Sequence, residues 1–289
     1  MSRDQTTGNK AASSPKGLSI GIVSDEIVLD IRDAVSLGMS WGISLYEIRS
    51  APSGRIPFFS PRDIAAVMHA RSELGIAITA LSPGIFKHPL SRTTEIEHEL
   101  TVVLPNTIEA AHQFGAPLVI VFGFQRENNE PRENIHRAVE VLSRAALLAR
   151  RAGIILAVEN EPGCWCDSGS ATAHIIHEVS SPALRANWDP CNAFGTEEFP
   201  VPDGYEAIKN VVANVHVKDT RKGALVECLP VGEGVIDWKG QLAALIRDGH
   251  ISHVTIETHS LPLVEKSKRN VDTVRAYLNE IYCEEKIGI

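Results

Sequence analysis

A single closed (β/α)8 barrel is the fold class that this 289-residue sequence predicts. Three observations predict it. Short apolar runs alternate with helical stretches along the globular part, which is the βαβ signature. The alternation repeats eight times, the number that closes a ring. No Gly-x-Gly-x-x-Gly follows the first strand, where Gly21-Ile22-Val23-Ser24-Asp25 leads toward a helix, so an open dinucleotide-binding sheet loses its main support.

The elements follow in order. Leu18 to Val23 is the first expected strand, followed by a helix around Ile27 to Leu37 that Gly38 would close in a left-handed cap. Ser44 to Arg49 gives the second strand, and Ser60-Pro61 supplies an N-cap and a first-turn proline for a helix to Leu74, with Gly75 beyond it. Ala77 to Ser82 is the third strand. Thr94 and Glu97 have capping-box spacing ahead of a helix reaching Phe114, which Pro105 should kink or divide. Leu118 to Phe122 is the fourth strand, Arg132 to Ala152 a long helix closed by Gly153, and Ile155 to Glu159 the fifth strand. A helix over Ser170 to Val179, a strand over Leu184 to Trp188, a short helix over Tyr205 to Asn210 and a strand over Val212 to Lys218 continue the pattern. Asp237 caps a helix from Trp238 to Arg247, Val254 to Glu257 is the eighth strand, and Glu265 to Ile281 the last helix.

Composition sets the frame. A chain that is 44% hydrophobic buries one full core at this length, so one barrel domain over residues 18–289 is expected. Residues 1–17 are mostly small and polar and read as a flexible, solvated tail without a cleavage pattern. No stretch approaches the ~20 apolar residues that span a bilayer, so no membrane partner is expected. A net charge of −8 argues against a nucleic-acid partner, which needs a clustered basic face. Five cysteines, an odd number, suggest reduced thiols in the cytoplasm. Cys164 and Cys166 form a Cys-Trp-Cys step without zinc-ribbon spacing and are assigned to packing or pocket lining, and Cys191 to the neighbourhood of Asp189. A small polar ligand is the expected partner, and homo-oligomerisation is left open.

Glu159, Asp189, His216 and Glu257 each close or interrupt a short strand, at intervals of 30, 27 and 41 residues. Such intervals hold a strand, a returning helix and two loops, so these residues should meet at one rim. Along the seventh strand Asn214, His216 and Lys218 share one face while Val215 and Val217 share the other, so the polar set faces the axis. Thr255, Glu257 and His259 divide from Val254 and Ile256 in the same way. Singly, each is as well explained as a helix cap, half an ion pair or a hydrogen-bonded core residue. Together, three carboxylates converging with an imidazole call for a positive charge between them, and describe one divalent metal ion. An oxygen-rich set suits Mn²⁺ first, then Mg²⁺ or Co²⁺, ahead of Zn²⁺.

Four segments then resemble, in order and spacing, the motifs of the xylose-isomerase-like sugar isomerase and epimerase superfamily: Ala157-Val158-Glu159-Asn160, Asn187-Trp188-Asp189-Pro190-Cys191-Asn192, Val215-His216-Val217-Lys218-Asp219 and Thr255-Ile256-Glu257-Thr258-His259. Gly232-Glu233-Gly234-Val235-Ile236-Asp237-Trp238 is similar to that group's usual loop. The resemblance implies the barrel, a divalent metal on Glu159, Asp189, His216 and Glu257, and proton transfer by Glu159 and Glu257. Several ketose 3-epimerases of the group carry a histidine where this sequence has Asn192. Ketose epimerases, hydroxypyruvate isomerase, inosose dehydratase and dehydroshikimate dehydratase are branches of it. Endonuclease IV, another relative, uses three zinc ions and more histidines, and the acidic balance here counts against it.

The function expected is metal-dependent isomerisation or epimerisation of a sugar. A proton next to a carbonyl leaves to give an enediolate, and two glutamates on different strands remove and return it. Loss of a β-hydroxyl, as in a keto-inositol or dehydroshikimate dehydratase, is the alternative. A barrel that binds metal and sugar without turnover is the non-enzymatic one. Weaker substrate-binding candidates are Glu47, Arg49, His88, Glu161, Trp165, Asn192, Lys218 and Glu233, with Glu47 and Arg49 equally expected to pair with each other. The segment after the eighth strand, Thr258-His259-Ser260-Leu261-Pro262, lacks a glycine-rich phosphate cradle, so a free ketose or polyol derivative is expected.

Overall fold

Eight apolar runs become eight parallel strands: β1 (Ser19–Val23), β2 (Leu45–Ile48), β3 (Ala77–Leu81), β4 (Leu118–Phe122), β5 (Ile155–Glu159), β6 (Leu184–Trp188), β7 (Val212–Val217) and β8 (His253–Ile256). This computed structural model describes residues 17–221 and 224–287, so residues 1–16 of the expected tail lie outside the described residues. The strands pair in sequence order, and β1 against β8, from Ser19↔His253 to Ile22↔Ile256, closes the ring. Two pairings shift register, between Tyr46 and Glu47 and between Ala186 and Asn187. Such irregularities re-aim side chains, and here they set Glu47 and Asn187.

Helices return the chain outside the ring: α1 (Ile31–Ser40), α2 (Pro61–Leu74), α3 (Thr93–His98), α4 (Leu104–Phe114), α5 (Ile135–Ala152), α6 (Gly169–Val179), α7 (Pro190–Ala193), α8 (Tyr205–Ile208), α9 (Trp238–Asp248) and α10 (Leu263–Ile287). Ser60, Ser168 and Asp237 cap α2, α6 and α9 through their side chains. Gly75, Gly115 and Gly153 end α2, α4 and α5 in the left-handed region. Among the described residues no helix is long and apolar enough to cross a membrane.

Three sequence expectations are corrected. α1 begins at Ile31 because Asp30 caps it, accepting from the amides of Arg32 and Asp33. Gly38 lies inside α1 rather than closing it. A Cβ there would stand 2.2 Å from the Tyr46 hydroxyl, so the glycine permits close packing of α1 on β2. Thr94 caps nothing: α3 begins at Thr93 without a side-chain cap, and Glu97 forms a two-pronged pair with Arg144 of α5. Pro105 does divide the segment, which runs from α3 through a π-helical turn over Glu99–Val103 into α4. A proline has no amide hydrogen for its turn, so the wider turn absorbs the missing bond.

The core has two parts. A large apolar layer lies between strands and helices, with Trp188, Trp238, Tyr46 and Tyr205 among its largest buried members. Inside the ring a small plug of Ala80, Leu118, Ile120 and Ala157 fills one end. Above it the interior turns polar. Asn214 donates to Asn187 Oδ1 at 3.0 Å, and Thr255 donates to Asn214 Oδ1 at 3.3 Å.

Candidate active site

At the carboxyl ends of the strands lies a cavity of about 450 Å³, with Glu159, His216 and Glu257 in its lining. Glu159 ends β5, Asp189 follows β6 as the cap of α7, His216 lies in β7 and Glu257 follows β8. All four are buried, and one ligand atom from each lies within 4.8 Å of every other.

Each side chain is held by a different neighbour. Glu159 accepts from two neutral amides, Asn192 Nδ2 at 3.1 Å and Asn187 Nδ2 at 3.2 Å. Asp189 is fixed through its backbone, because Asn160 accepts from its amide and donates to its carbonyl, both at 2.8 Å. Its Oδ1 accepts from the Asn192 amide at 3.0 Å. Glu257 is bound by two cations, Arg49 Nη1 at 3.0 Å and Lys218 Nζ at 2.8 Å. His216 directs Nε2 to Glu47 Oε2 at 3.0 Å, which leaves Nδ1 facing Glu257 Oε2 at 3.4 Å and Glu159 Oε2 at 3.5 Å. A carboxylate behind the imidazole fixes which nitrogen is offered to the cavity.

The titration of these groups follows from burial against charge. Burial alone would lower His216, but Glu47, Glu257 and Glu159 outweigh it and hold the imidazolium well above its ordinary value. Lys218 is raised in the same way by Asp189 and Glu257. Burial pushes Asp189 up to about 6 against the pull of Lys218. Glu257, despite burial, is held well below the carboxylate range by Lys218 and His216, and Glu159 is lowered by His216. Glu257 also raises His259 to about 10.

The donor set fits a divalent cation. Asp189 Oδ2 is buried with no hydrogen-bond donor aligned on it, although Lys218 Nζ lies 2.8 Å away off the line of such a bond. Three carboxylates and one imidazole nitrogen come within reach of one point, an oxygen-rich donor set suited to such an ion. Lys218 and His216 supply the compensating charge from the protein's own side chains.

Of the other residues expected from sequence, Arg49, Glu161, Asn192 and Lys218 line the cavity. Glu161 pairs with Lys87 at 2.7 Å, and its Oε2 is buried without a partner. Glu47 and Arg49 do not pair with each other. The register shift turns Glu47 inward to His216 and Ser82, while Arg49 reaches Asp25 at 2.9 Å, Glu26 at 2.5 Å and Glu257. His88 bonds Glu99 at 2.8 Å, Trp165 packs in the large core cluster, and Glu233 pairs with Arg269, so none of the three is among the cavity's lining residues. Cys164, Cys166 and Cys191 are buried free thiols.

Sequence reasoning did not find Arg55, Ser82, Lys87, Phe122 and Cys228, which line the same cavity. Phe122 shares strand parity with Leu118 and Ile120, and Ser82 with Ala80, so both were legible on that ground; Arg55, Lys87 and Cys228 arrive from loops and short hairpins without a period. A neighbouring cleft of about 820 Å³ shares Asn192 with the cavity, but none of the four clustered ligands lines it.

Comparison with known proteins gives a consistent picture. The sequence pattern of the xylose isomerase-like TIM barrel family matches residues 36–280. The L-ribulose-5-phosphate 3-epimerase UlaE of Escherichia coli O157:H7 (strain EC4115 / EHEC) is 25% identical over 201 residues, covering 68% of this chain and 69% of the relative. A D-tagatose 3-epimerase-like protein superposes with a TM-score of 0.77 at 21% identity, covering 93% of this chain and 100% of the other. An L-ribulose 3-epimerase superposes at 0.76 with 16% identity, covering 93% and 97%. At these identities the solved structures share the fold.

Proposed function

Because the chain belongs to the xylose isomerase-like TIM barrel family, we propose that it is a divalent-metal-dependent sugar epimerase or isomerase acting on carbon next to a ketose carbonyl. The observation that carries this reading is the entry of Glu159 and Glu257 into one buried cavity from strands β5 and β8, with Asp189 and His216 between them. Relatives named as 3-epimerases of ribulose 5-phosphate, ribulose and, in likeness, tagatose support it.

Glu159, Asp189, His216 Nδ1 and Glu257 would hold the cation, with Mn²⁺ the first choice and Mg²⁺, Co²⁺ or Zn²⁺ the others. When bound, such an ion supplies the positive charge that stabilises an enediolate. The chain's own residues do the rest. The two glutamates differ in base strength. Glu159 rests on two neutral amides, whereas Glu257 is tied to a guanidinium and an ammonium. Charged donors lower proton affinity more, so Glu159 is the stronger base and takes the substrate proton, and Glu257 handles the opposite face. Glu161, with its unsatisfied oxygen, orients a substrate hydroxyl. Asn192 occupies the cavity wall beside Glu159 and locks it.

Deuterium incorporation tests the reading. The protein loaded with Mn²⁺, Mg²⁺ or Co²⁺ is incubated in deuterated water with tetruloses, pentuloses, hexuloses, keto-inositols and their phosphates. Exchange next to the carbonyl, with an epimer or isomer as product, is the expected result. Growth of an enone absorbance instead would establish dehydration. No exchange with any ketose would remove the enediolate reading.

A further inference from the structure

The cavity holds several cations, and all but one are matched by carboxylates. Arg49 is paired with Asp25, Glu26 and Glu257, Lys87 with Glu161, and Lys218 with Asp189 and Glu257. Arg55 is the exception: among the described residues no carboxylate lies within ion-pair distance of its guanidinium. It stands on a small hairpin, Ser50–Ala51 against Gly54–Arg55, that follows β2. A surface arginine that is merely solvated needs no socket, but this one has one. Its Nε donates to the Ser82 carbonyl at 2.9 Å. Its Cζ lies against Gly84, where a Cβ would come within 2.8 Å, and Gly84 has a φ of +79° that glycine adopts without strain. Ser82 is itself anchored by its hydroxyl on Glu47. The guanidinium is thus aimed into the cavity by backbone contacts, with both Nη groups free of protein acceptors among the described residues.

We propose that Arg55 is an anion subsite that takes a terminal phosphate or carboxylate carried by the sugar at the end remote from its reacting carbons. The inference rests on the reading of this cavity as a sugar site. Placing the cation on an unpaired guanidinium has a physical advantage. A planar fork donates two parallel hydrogen bonds to phosphate or carboxylate oxygens. It does so here without first breaking an internal ion pair. Partial burial and the nearby charge of Arg49 lower the pKa of Arg55, and an incoming anion beside this exposed arginine would act against both. The expectation of an unphosphorylated substrate followed from the missing glycine-rich cradle after β8; a side-chain fork from the β2 loop is a different solution to the same task.

The test reads binding, not turnover. Wild type and Arg55→Gln are titrated calorimetrically with D-ribulose, D-ribulose 5-phosphate, D-fructuronate and inorganic phosphate. Wild type should bind one of the two charged ketoses about tenfold or more tighter than D-ribulose, the scale of a charge-assisted bidentate contact. The better of the two identifies phosphate or carboxylate as the group. Arg55→Gln should lose that advantage while its affinity for D-ribulose stays within about twofold, the change being confined to the tail contact. Arg55→Lys, which keeps the charge but not the fork, should recover part of it. Inorganic phosphate needs no match to sugar stereochemistry, and its binding should also weaken in Arg55→Gln. Equal binding of charged and free ketoses by wild type, or an advantage that survives Arg55→Gln, overturns the subsite. Charged ketoses held through Arg55, with no deuterium exchange in any ketose tested on the metal-loaded protein, would overturn the epimerase reading and leave the subsite standing.

Discussion

Glu47 illustrates how a residue one step removed from the chemistry governs it. Its carboxylate lies 3.0 Å from His216 Nε2, and both side chains are about 1% exposed. Glu47→Gln should keep the barrel folded but weaken Mn²⁺ or Co²⁺ binding by about 10- to 100-fold, the scale for groups that orient a metal-binding histidine. Calorimetry measures the change, and an unchanged affinity would reduce Glu47 to packing. Asp189→Ala should go further and abolish tight binding, because it removes one of the three clustered carboxylates and leaves Lys218 without one of its two partners at 2.8 Å. Replacing Glu159 or Glu257 by Gln should retain part of the metal and cut turnover by ~10²-fold or more. Near wild-type turnover in both, with metal bound, would leave them as ligands only. The raised pKa of His216 also sets a pH dependence. Its proton must leave before Nδ1 can accept a cation, so affinity falls as pH falls, and binding releases a proton. Titrations in buffers of different ionisation enthalpy detect that proton.

At the level of elements, close approach and irregular turns decide more than propensity does. Gly38→Ala would drive a Cβ against the Tyr46 hydroxyl, and overpacking of this kind costs roughly 1–3 kcal/mol. Urea denaturation measures it, and Gly38→Ala combined with Tyr46→Phe should recover part of the loss. His88, in the loop after β3, bonds Glu99 in the π-helical turn, and that bond raises its pKa above 6.5. A folded-state pKa above the unfolded one favours folding when the imidazole is charged. The contribution is therefore complete below about pH 6.5 and disappears as pH rises through the folded value. His88→Ala should cost stability in acid and little in base. The sequence made β4, β5 and β6 legible to the residue: β4 is an unbroken apolar run bounded by Pro117 and Gly123, β5 an apolar run ended by Glu159, and β6 an alternating run that Asp189-Pro190 stops. That Glu159, Asp189, His216 and Glu257 come together was legible from polar residues closing or interrupting their strands. Gly38 was misplaced because a glycine near the end of a helix has two uses, and only the approach of Tyr46 from β2 distinguishes them. Arg55 was illegible since its meaning lies in a carbonyl 27 residues away.

For the molecule as a whole, Glu159, Asp189, His216 and Glu257 come from four consecutive strands, β5 to β8, so a cation held there would tie half the ring together. A ligand at a hundred times its Kd stabilises the native state by about 2.7 kcal/mol, which at this chain length corresponds to a rise in Tm of roughly 5 °C. Thermal unfolding with chelator and with excess Mn²⁺ should show it, and Asp189→Ala should not. The ring also has a temporal side. Glu47 belongs to the first quarter of the chain and steadies a histidine 169 residues later, while the seam waits for β8 to meet β1. A chain synthesised only through β7 already carries Glu159, Asp189 and His216, yet Glu257 and the strand that locks the first to the last are still unmade. A cation site built from all four residues would be complete only with Glu257 and β8 in place, so a chain truncated before β8 would lack the fourth group and the closing seam together.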